Sequence, residues 1–182
     1  MNSLHIDNQG IVSGVPFIES PNQDNRPPDS EITLIVMHNI SLPPQQYGGD
    51  GVIQLFTNQL DPATHPYYAE IHQLRVSSHF FIRRDGGLLQ FVPCQRRAWH
   101  AGKSNWQGRA NCNDFSIGIE LEGSDFDAFE ASQYTMLNRL LVVLRRAYPI
   151  ASTVGHSDIA PGRKTDPGSF FDWSRLQRPT QD

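Results

Sequence analysis

The chain has 182 residues, of which 38% are hydrophobic, and its formal net charge is −4. This length and composition predict a single folded domain over residues 1–182, with loosely ordered ends at 1–14 and 177–182. The acidic balance argues against nucleic acid as a partner, because phosphate contacts require clustered Lys and Arg. No run approaches the roughly eighteen apolar residues of a membrane span, so we expect no membrane insertion.

The N-terminal segment and the two cysteines bear on the location of the protein. Residues 1–7 contain neither the basic nor the apolar part of a secretory signal. Cys94 and Cys112 belong to no CxxC pair, and two cysteines alone do not make a disulfide framework. We therefore expect a cytoplasmic protein with reduced thiols, for which a monomer is the default.

The first half of the chain favours short strands joined by irregular segments, because Pro, Gly and Asn interrupt its apolar runs. The turn Arg84-Asp85-Gly86-Gly87 between two apolar runs is a typical hairpin signal. A buried strand before His38 would place that imidazole at the end of the strand. The predicted elements, in chain order, are an extended arm at 15–30, a strand at 32–37, a helix at 52–60, irregular structure with one helical turn at 61–74, and strands at 76–82 and 88–92.

The second half contains the clearest helix, over residues 130–148. Its leucines recur at i, i+3 and i+4 spacing on one face, and Pro149 ends it. The other predicted elements are a short strand at 97–100, a polar loop at 104–113, a strand at 115–121, a short strand at 153–154 and a short helix at 171–176. This order of elements predicts an α/β (α+β) fold, in which helices flank a mixed central sheet.

Residues 156–168 collect an imidazole, two carboxylates and a lysine in one short segment. Two prolines and two glycines in it predict a loop rather than a helix. Neutral imidazole and carboxylate are ligands that suit zinc, so the segment predicts part of a metal site. His156 is a candidate ligand here, and His38 is a candidate from elsewhere in the chain. Asp158 and Asp166 compete as the carboxylate, since Asp158 is equally suited to cap a turn.

Glu120 is the candidate general base, because a glutamate on an otherwise apolar strand is rarely buried without a purpose. By pattern alone Glu122 is an equal rival, since it lies on the same face of the strand. Lys164 is either a solvated surface lysine or a cation that stabilises an oxyanion. Trp99 lies in a polar loop context, where its ring can stack on a sugar or pack in the core. His100, its neighbour, could line a substrate groove.

Five motifs occur along the chain, and they are HNISLPP at 38–44, SHF at 78–80, RAWHAG at 97–102, NDFSIGIELEG at 113–123 and HSDIAPGRKTDPG at 156–168. Together they resemble the zinc-dependent N-acetylmuramoyl-L-alanine amidases, in particular the cytoplasmic branch that acts on 1,6-anhydro-muramyl peptides. The resemblance extends from about residue 15 to residue 176. It implies a mixed sheet flanked by helices, with one catalytic Zn²⁺ in a groove on one face.

The resemblance also implies a role for each candidate residue. The implied site consists of the metal ligands His38, His156 and Asp166, the general base Glu120, the transition-state stabiliser Lys164, and the candidate substrate contacts Asn39, Arg75 and Trp99.

The implied reaction is hydrolysis of the amide between the lactyl group of 1,6-anhydro-N-acetylmuramic acid and L-alanine of the stem peptide, in peptidoglycan recycling. An exported amidase that cuts intact peptidoglycan would share this chemistry but would need an export signal. A module that binds muramyl peptides without cleaving them would have a broken ligand set. All three ligands and both assisting residues are present in this sequence, which favours the first interpretation.

Overall fold

The computed structural model describes residues 4–177, and in that part of the chain no helix is long and apolar enough to cross a membrane. Residues 1–3 and 178–182, on which part of the prediction of loose ends falls, lie outside the described residues. Within the described segment 4–14, Ile6 pairs with Val12, and Val12 is buried.

The strands, in chain order, are β1 (Gln23–Asn25), β2 (Leu34–Ile40), β3 (Phe80–Ile82), β4 (Leu88–Gln90), β5 (Arg96–Ala98), β6 (Asn105–Trp106), β7 (Arg109–Ala110), β8 (Ser116–Glu122) and β9 (Ser152–Gly155). The helices are α1 (Gly51–Phe56), α2 (Pro66–Ile71), α3 (Ala131–Ala147) and α4 (His156–Ile159), and 3-10 turns lie at Cys112–Asp114 and Trp173–Arg175.

The central sheet has five strands in the order β4-β3-β8-β2-β9. Strands β3, β8, β2 and β9 run parallel, and β4 returns antiparallel to β3 through the predicted hairpin. The predicted mixed sheet flanked by helices is therefore confirmed. Both faces of β8 are covered, since all seven of its residues are buried. Such burial is typical of a parallel strand in the middle of a sheet.

Helix α3 covers one face of the sheet, and its predicted leucine stripe forms the contact. The stripe joins a large apolar cluster with Ile117, Ile119 and Leu121 of β8. Gln133 is fully buried and donates hydrogen bonds to the carbonyl oxygens of Ile82 and Glu122, which fixes the helix to two strands. Because side chains alternate along a strand, the other residues of β8, among them Glu120, point to the opposite face.

Two strand predictions differ from the structure in ways that affect the site. The strand predicted at 32–37 begins at Leu34 and continues to Ile40, because its pairing with β8 extends to Glu122. His38 therefore lies inside the strand and not at its end. The strand predicted at 76–82 begins only at Phe80, because the preceding residues bond elsewhere. The Ser77 N–H donates to the Trp99 carbonyl oxygen, and the Ser77 hydroxyl donates to that of Asn22.

The segments that were predicted to be irregular contain more regular secondary structure than the sequence indicated. The extended arm at 15–30 includes β1, which pairs antiparallel with β5. The polar loop at 104–113 contains the small β6–β7 hairpin, and the segment 61–74 contains the six-residue helix α2. The helix predicted at 52–60 ends at Phe56, because Asn58 adopts a left-handed conformation with φ of 60°. The helix predicted at 171–176 is a single 3-10 turn.

Candidate metal centre and active site

The parallel pairing of β2 with β8 sets His38 directly opposite Glu120, on the face of the sheet away from α3. His38 is 2% exposed and Glu120 is 8% exposed. Val36 and Met37 pair at the same time with Val154 and Gly155 of β9, which ends immediately before His156. Three neighbouring parallel strands thus deliver three ionisable side chains to one end of the sheet.

The segment 156–168 was predicted to be a loop, and that prediction is wrong for its first four residues. They form helix α4, and the carboxylate of Asp158 accepts a hydrogen bond of 2.7 Å from the Gly155 N–H at its start. Asp158 therefore acts as the turn cap, which was one of its two possible roles. The chain then folds back so that the Ser157 N–H donates to the Asp166 carbonyl oxygen, 3.0 Å away. This bond holds Asp166 beside His156.

His38, His156 and Asp166 form one cluster, whose potential ligand atoms all lie within 4.8 Å of one another. Oδ2 of Asp166 lies 2.8 Å from Nδ1 of His38 and 3.1 Å from Nδ1 of His156. The two imidazole centroids are 4.6 Å apart. The structure thus brings together the three residues that the sequence analysis named as ligands. His38 lies 118 residues before His156 and 128 residues before Asp166 in the chain.

The hydrogen bonds of the cluster suit a cation. Nε2 of His156 lies 3.0 Å from the carbonyl oxygen of Ala101, which can only accept, so a neutral His156 carries its hydrogen on Nε2. The lone pair of Nδ1 then faces the Asp166 carboxylate, an arrangement that a metal ion between the two would satisfy. Burial raises the pKa of Asp166, whereas N–H groups or positive charge facing it from His156 and His38 lower it below the ordinary value. With the lone pairs of the Nδ1 atoms facing the carboxylate, a bound metal ion would supply that positive charge. Burial also lowers the pKa of His38, which favours the neutral imidazole that metals bind.

Glu120 stands out because its charge has little compensation. Among the described residues its Oε2 atom is buried and has no hydrogen-bond partner. Burial raises the pKa of this carboxyl well above its usual value, and the charge of Asp166 raises it further, while Lys164 opposes the shift. A carboxyl group with a raised pKa beside a metal cluster can accept and return a proton near neutral pH.

Glu122, the rival on the same face, has a structural role. Its two carboxylate oxygens accept hydrogen bonds from the backbone N–H groups of Gly48 and Arg84. Because both oxygens are occupied by backbone partners, Glu122 joins the segment after β2 to the β3–β4 hairpin. The geometry therefore distinguishes two glutamates that the sequence pattern could not.

The cluster opens into a cleft of about 560 Å³, which Glu120 and Lys164 also line. Trp99 lines the cleft as well, so the structure brings this predicted substrate contact to the site. Asn39 lines it too, but its amide group donates to Asp125 Oδ1 and to the Pro167 carbonyl oxygen. Arg75, by contrast, is exposed and is not among the residues that line the cleft, and its guanidinium donates to the carbonyl oxygens of His72 and Leu74.

Some residues of the cleft were not predicted from the sequence. Phe126 and Leu74 both line the cleft, and they are 70% and 49% exposed. Arg163 also lines the cleft, and its guanidinium donates to the carbonyl oxygens of Ala101 and Lys103. The only sequence signal for Phe126 is that it is an aromatic residue within the polar run at 123–127. That signal is weak without the fold.

Comparison with known proteins places this geometry in context. The chain matches the family described as N-acetylmuramoyl-L-alanine amidase over residues 28–169. Over 171 residues, covering 93% of both chains, it is 54% identical to the 1,6-anhydro-N-acetylmuramyl-L-alanine amidase AmpD of Escherichia coli (strain K12). A crystal structure of a selenomethionine AmpD derivative superimposes with a TM-score of 0.91, at 50% identity and with 97% of both chains covered.

A more distant solved structure carries a ligand. It is the N-acetylmuramyl-L-alanine amidase AmiD of Escherichia coli in complex with the substrate anhydro-N-acetylmuramic acid-L-Ala-D-gamma-Glu-L-Lys. The TM-score is 0.59 at 30% identity, and the match covers 84% of this chain and 59% of that chain.

Proposed function

The chain belongs to the N-acetylmuramoyl-L-alanine amidase family of enzymes, and we propose that its substrates are 1,6-anhydro-muramyl peptides. The bond cleaved is the amide between the lactyl group of the anhydro sugar and L-alanine of the stem peptide. The observation that carries this proposal is that the His38–His156–Asp166 cluster shares one cleft with the buried Glu120, whose Oε2 has no hydrogen-bond partner in the described part of the chain.

The substrate class rests on similarity and on the shape of the site. The relative AmpD is named for this activity, and the relative AmiD was solved with an anhydro-muramyl tripeptide. A cleft of about 560 Å³ with Trp99 on its wall is large enough for a sugar and part of a peptide. The half-buried Trp99 and the exposed Phe126 give the sugar or stem peptide apolar surfaces to contact.

Zinc is the metal that the donor set suits best, because two imidazole nitrogens and one carboxylate oxygen leave a fourth position open. His38, His156 and Asp166 would hold it. A zinc ion there would polarise the scissile carbonyl and lower the pKa of a water molecule.

The side chains of the protein supply the remaining steps. Glu120 accepts a proton from the attacking water and returns it to the nitrogen of the departing L-alanine, for which its raised pKa is suited. Lys164 carries a positive charge on the cleft wall and stabilises the negative charge that develops on the carbonyl oxygen. Burial of His38 and Glu120 limits access of water to these groups and strengthens their electrostatic interactions.

Three further features belong to the proposal. The enzyme acts in the cytoplasm in peptidoglycan recycling, it works as a monomer, and residues 1–182 form one amidase domain. The family match at 28–169 and the similarity to AmpD over 93% of both chains support the single amidase domain.

Rates on two substrates test the proposal. The zinc-loaded protein is incubated with anhydro-muramyl tripeptide and, separately, with intact peptidoglycan sacculi, each with and without a chelator. We expect fast release of tripeptide from the soluble substrate, little from sacculi, and loss of activity with the chelator. Faster cleavage of sacculi would favour an exported amidase, and binding of the tripeptide without cleavage would favour a recognition module.

A further inference from the structure

A line of hydrogen bonds runs from the interior of the protein to Nε2 of the ligand candidate His38. This is its outer nitrogen, the one that faces away from Asp166. Nε2 of His38 lies 2.9 Å from Nδ1 of His100, and Nε2 of His100 lies 3.1 Å from Oγ of Ser116. The Ser116 hydroxyl lies 2.6 Å from the carbonyl oxygen of Cys112. Of the residues in this line, only His38 belongs to the candidate metal-binding cluster.

The direction of every bond in the line follows from its inner end. A carbonyl oxygen can only accept, so the single hydrogen of the Ser116 hydroxyl goes to Cys112. Ser116 must then accept from Nε2–H of His100, which leaves Nδ1 of a neutral His100 as an acceptor. His38 consequently donates through Nε2–H, and the lone pair of its Nδ1 faces Asp166. This is the tautomer in which His38 can bind a metal through Nδ1.

The second imidazole ligand is oriented by the residue next to His100. Nε2–H of His156 donates to the Ala101 carbonyl oxygen, so its Nδ1 faces Asp166 as well. The backbone N–H groups of His100 and Ala101 both donate to Oδ1 of Asn113, at 3.2 and 2.8 Å. Two consecutive residues, held by one asparagine, therefore contact the outer nitrogens of both histidines.

Strand β8 leaves room for this arrangement at Gly118. A Cβ atom at that position would lie 2.5 Å from Cγ and 2.7 Å from Nδ1 of His100. Any larger residue would push the imidazole away from His38 or distort the central strand. The place of His100 is thus built into the sheet and does not depend on a flexible surface contact.

We propose that His100 is a positioning residue. Together with Ser116 and the Ala101 carbonyl, it fixes both ligand histidines in the tautomer whose Nδ1 lone pair can bind the metal. The inference rests on the metal site proposed above and adds the residues that select its tautomers. Loss of such an outer hydrogen bond typically weakens metal binding by about 10- to 100-fold.

Three variants and one matched control test the proposal. His100→Leu fills the space without an acceptor, His100→Asn keeps an acceptor oxygen near the position of Nδ1, and Ser116→Ala removes the hydroxyl. The control Ser20→Ala removes a buried hydroxyl that donates to the Phe56 carbonyl oxygen and lies outside the line. Two quantities are measured, namely the zinc dissociation constant by chelator competition and the tautomer of His38 by long-range ¹H–¹⁵N correlation spectra of the zinc-free protein.

We expect the zinc dissociation constant to rise by about 10- to 100-fold in His100→Leu and by less in Ser116→Ala. His100→Asn should recover most of the affinity, and Ser20→Ala should match the wild type. In the zinc-free protein the His38 hydrogen should lie on Nε2 in the wild type and move to Nδ1 in His100→Leu. A residue that only fills space would change stability without moving that hydrogen.

Affinity and tautomer unchanged in His100→Leu and Ser116→Ala would overturn the positioning role. If His100→Leu does not fold, an unchanged Ser116→Ala overturns it alone. Failure of the wild-type protein to bind zinc would instead contradict the proposed metal site, so the two failures are distinguishable.

Discussion

Replacing Glu120 by Gln is expected to lower activity while making the zinc-free protein more stable. The carboxyl is 8% exposed, and its Oε2 atom has no hydrogen-bond partner within residues 4–177. An ionised carboxylate that is buried without a partner costs about 1–3 kcal/mol or more, and the neutral amide of Gln avoids the part of that cost due to the charge, so the fold should gain stability of this order where the wild-type carboxyl is ionised. For a protein of this size each kcal/mol shifts the melting temperature by about 2–4 °C.

The sign of the pH dependence follows from the direction of the pKa shift. Burial raises the pKa of Glu120 in the folded protein, so the folded state binds this proton more tightly than the unfolded state does. The wild type therefore loses stability as pH rises from about 4.3, the unfolded pKa of glutamate, through the raised folded value. Glu120→Gln lacks this loss, so its advantage should be absent at pH 4 and complete above the folded pKa.

Thermal unfolding of the chelator-treated proteins at pH 4 and pH 8 measures the stability, and tripeptide release by the zinc-loaded proteins measures the activity. The rate of Glu120→Gln should fall by about 10²- to 10⁴-fold with bound zinc retained, because a general base is lost. Glu122→Gln is the matched control on the same strand. It leaves the backbone N–H of Gly48 or Arg84 without its acceptor oxygen, so stability should fall by about 1–3 kcal/mol while the rate stays unchanged.

Two results would refute this reasoning. Full activity in Glu120→Gln would remove Glu120 from the mechanism, and loss of zinc would make it a structural support of the metal site. A lower melting temperature at pH 8 would show that the ionised carboxylate stabilises the fold.

Other substitutions separate the metal ligands, the cleft and the core. Lys164→Met should lower kcat by about 10²- to 10³-fold with zinc content unchanged, as steady-state kinetics and metal analysis would show, because a charge that stabilises the oxyanion is lost. Asp166→Asn should lose zinc in an equilibrium dialysis assay, and a full equivalent of bound metal would contradict its role as a ligand. Leu140→Ala, at a fully buried position of α3, should lower the free energy of unfolding by about 2–5 kcal/mol in denaturant titrations while the zinc affinity is unchanged.

Patterns within one segment predicted the main elements of the fold. The leucine stripe of α3 and the alternation in β8 are local, and both elements occur within one residue of the predicted ends. The β3–β4 hairpin was equally clear, because its turn sequence allows few alternatives. Where the prediction was wrong, distant partners decided the structure. β2 extends to Ile40 because β8 pairs with it, and nothing in residues 32–40 shows that pairing.

The site illustrates the same limit. Asp158 and Asp166 could not be ranked by spacing, since only the α4 turn shows that Asp158 is engaged by the Gly155 N–H. Glu120 and Glu122 could not be ranked either, because the partners of Glu122 are backbone groups of residues 48 and 84. Asn39 was named as a substrate contact, yet its amide is bonded to Asp125 and Pro167. Its role toward substrate stays a prediction.

Product analysis in ¹⁸O-water tests the central claim most directly. The zinc-loaded protein is incubated with anhydro-muramyl tripeptide in ¹⁸O-water, and the masses of the products are determined by mass spectrometry. We predict free tripeptide without label and 1,6-anhydro-N-acetylmuramic acid with one ¹⁸O in its lactyl carboxylate, and no products once the metal is removed. Intact substrate, cleavage at another bond, or the same products without metal would contradict the account.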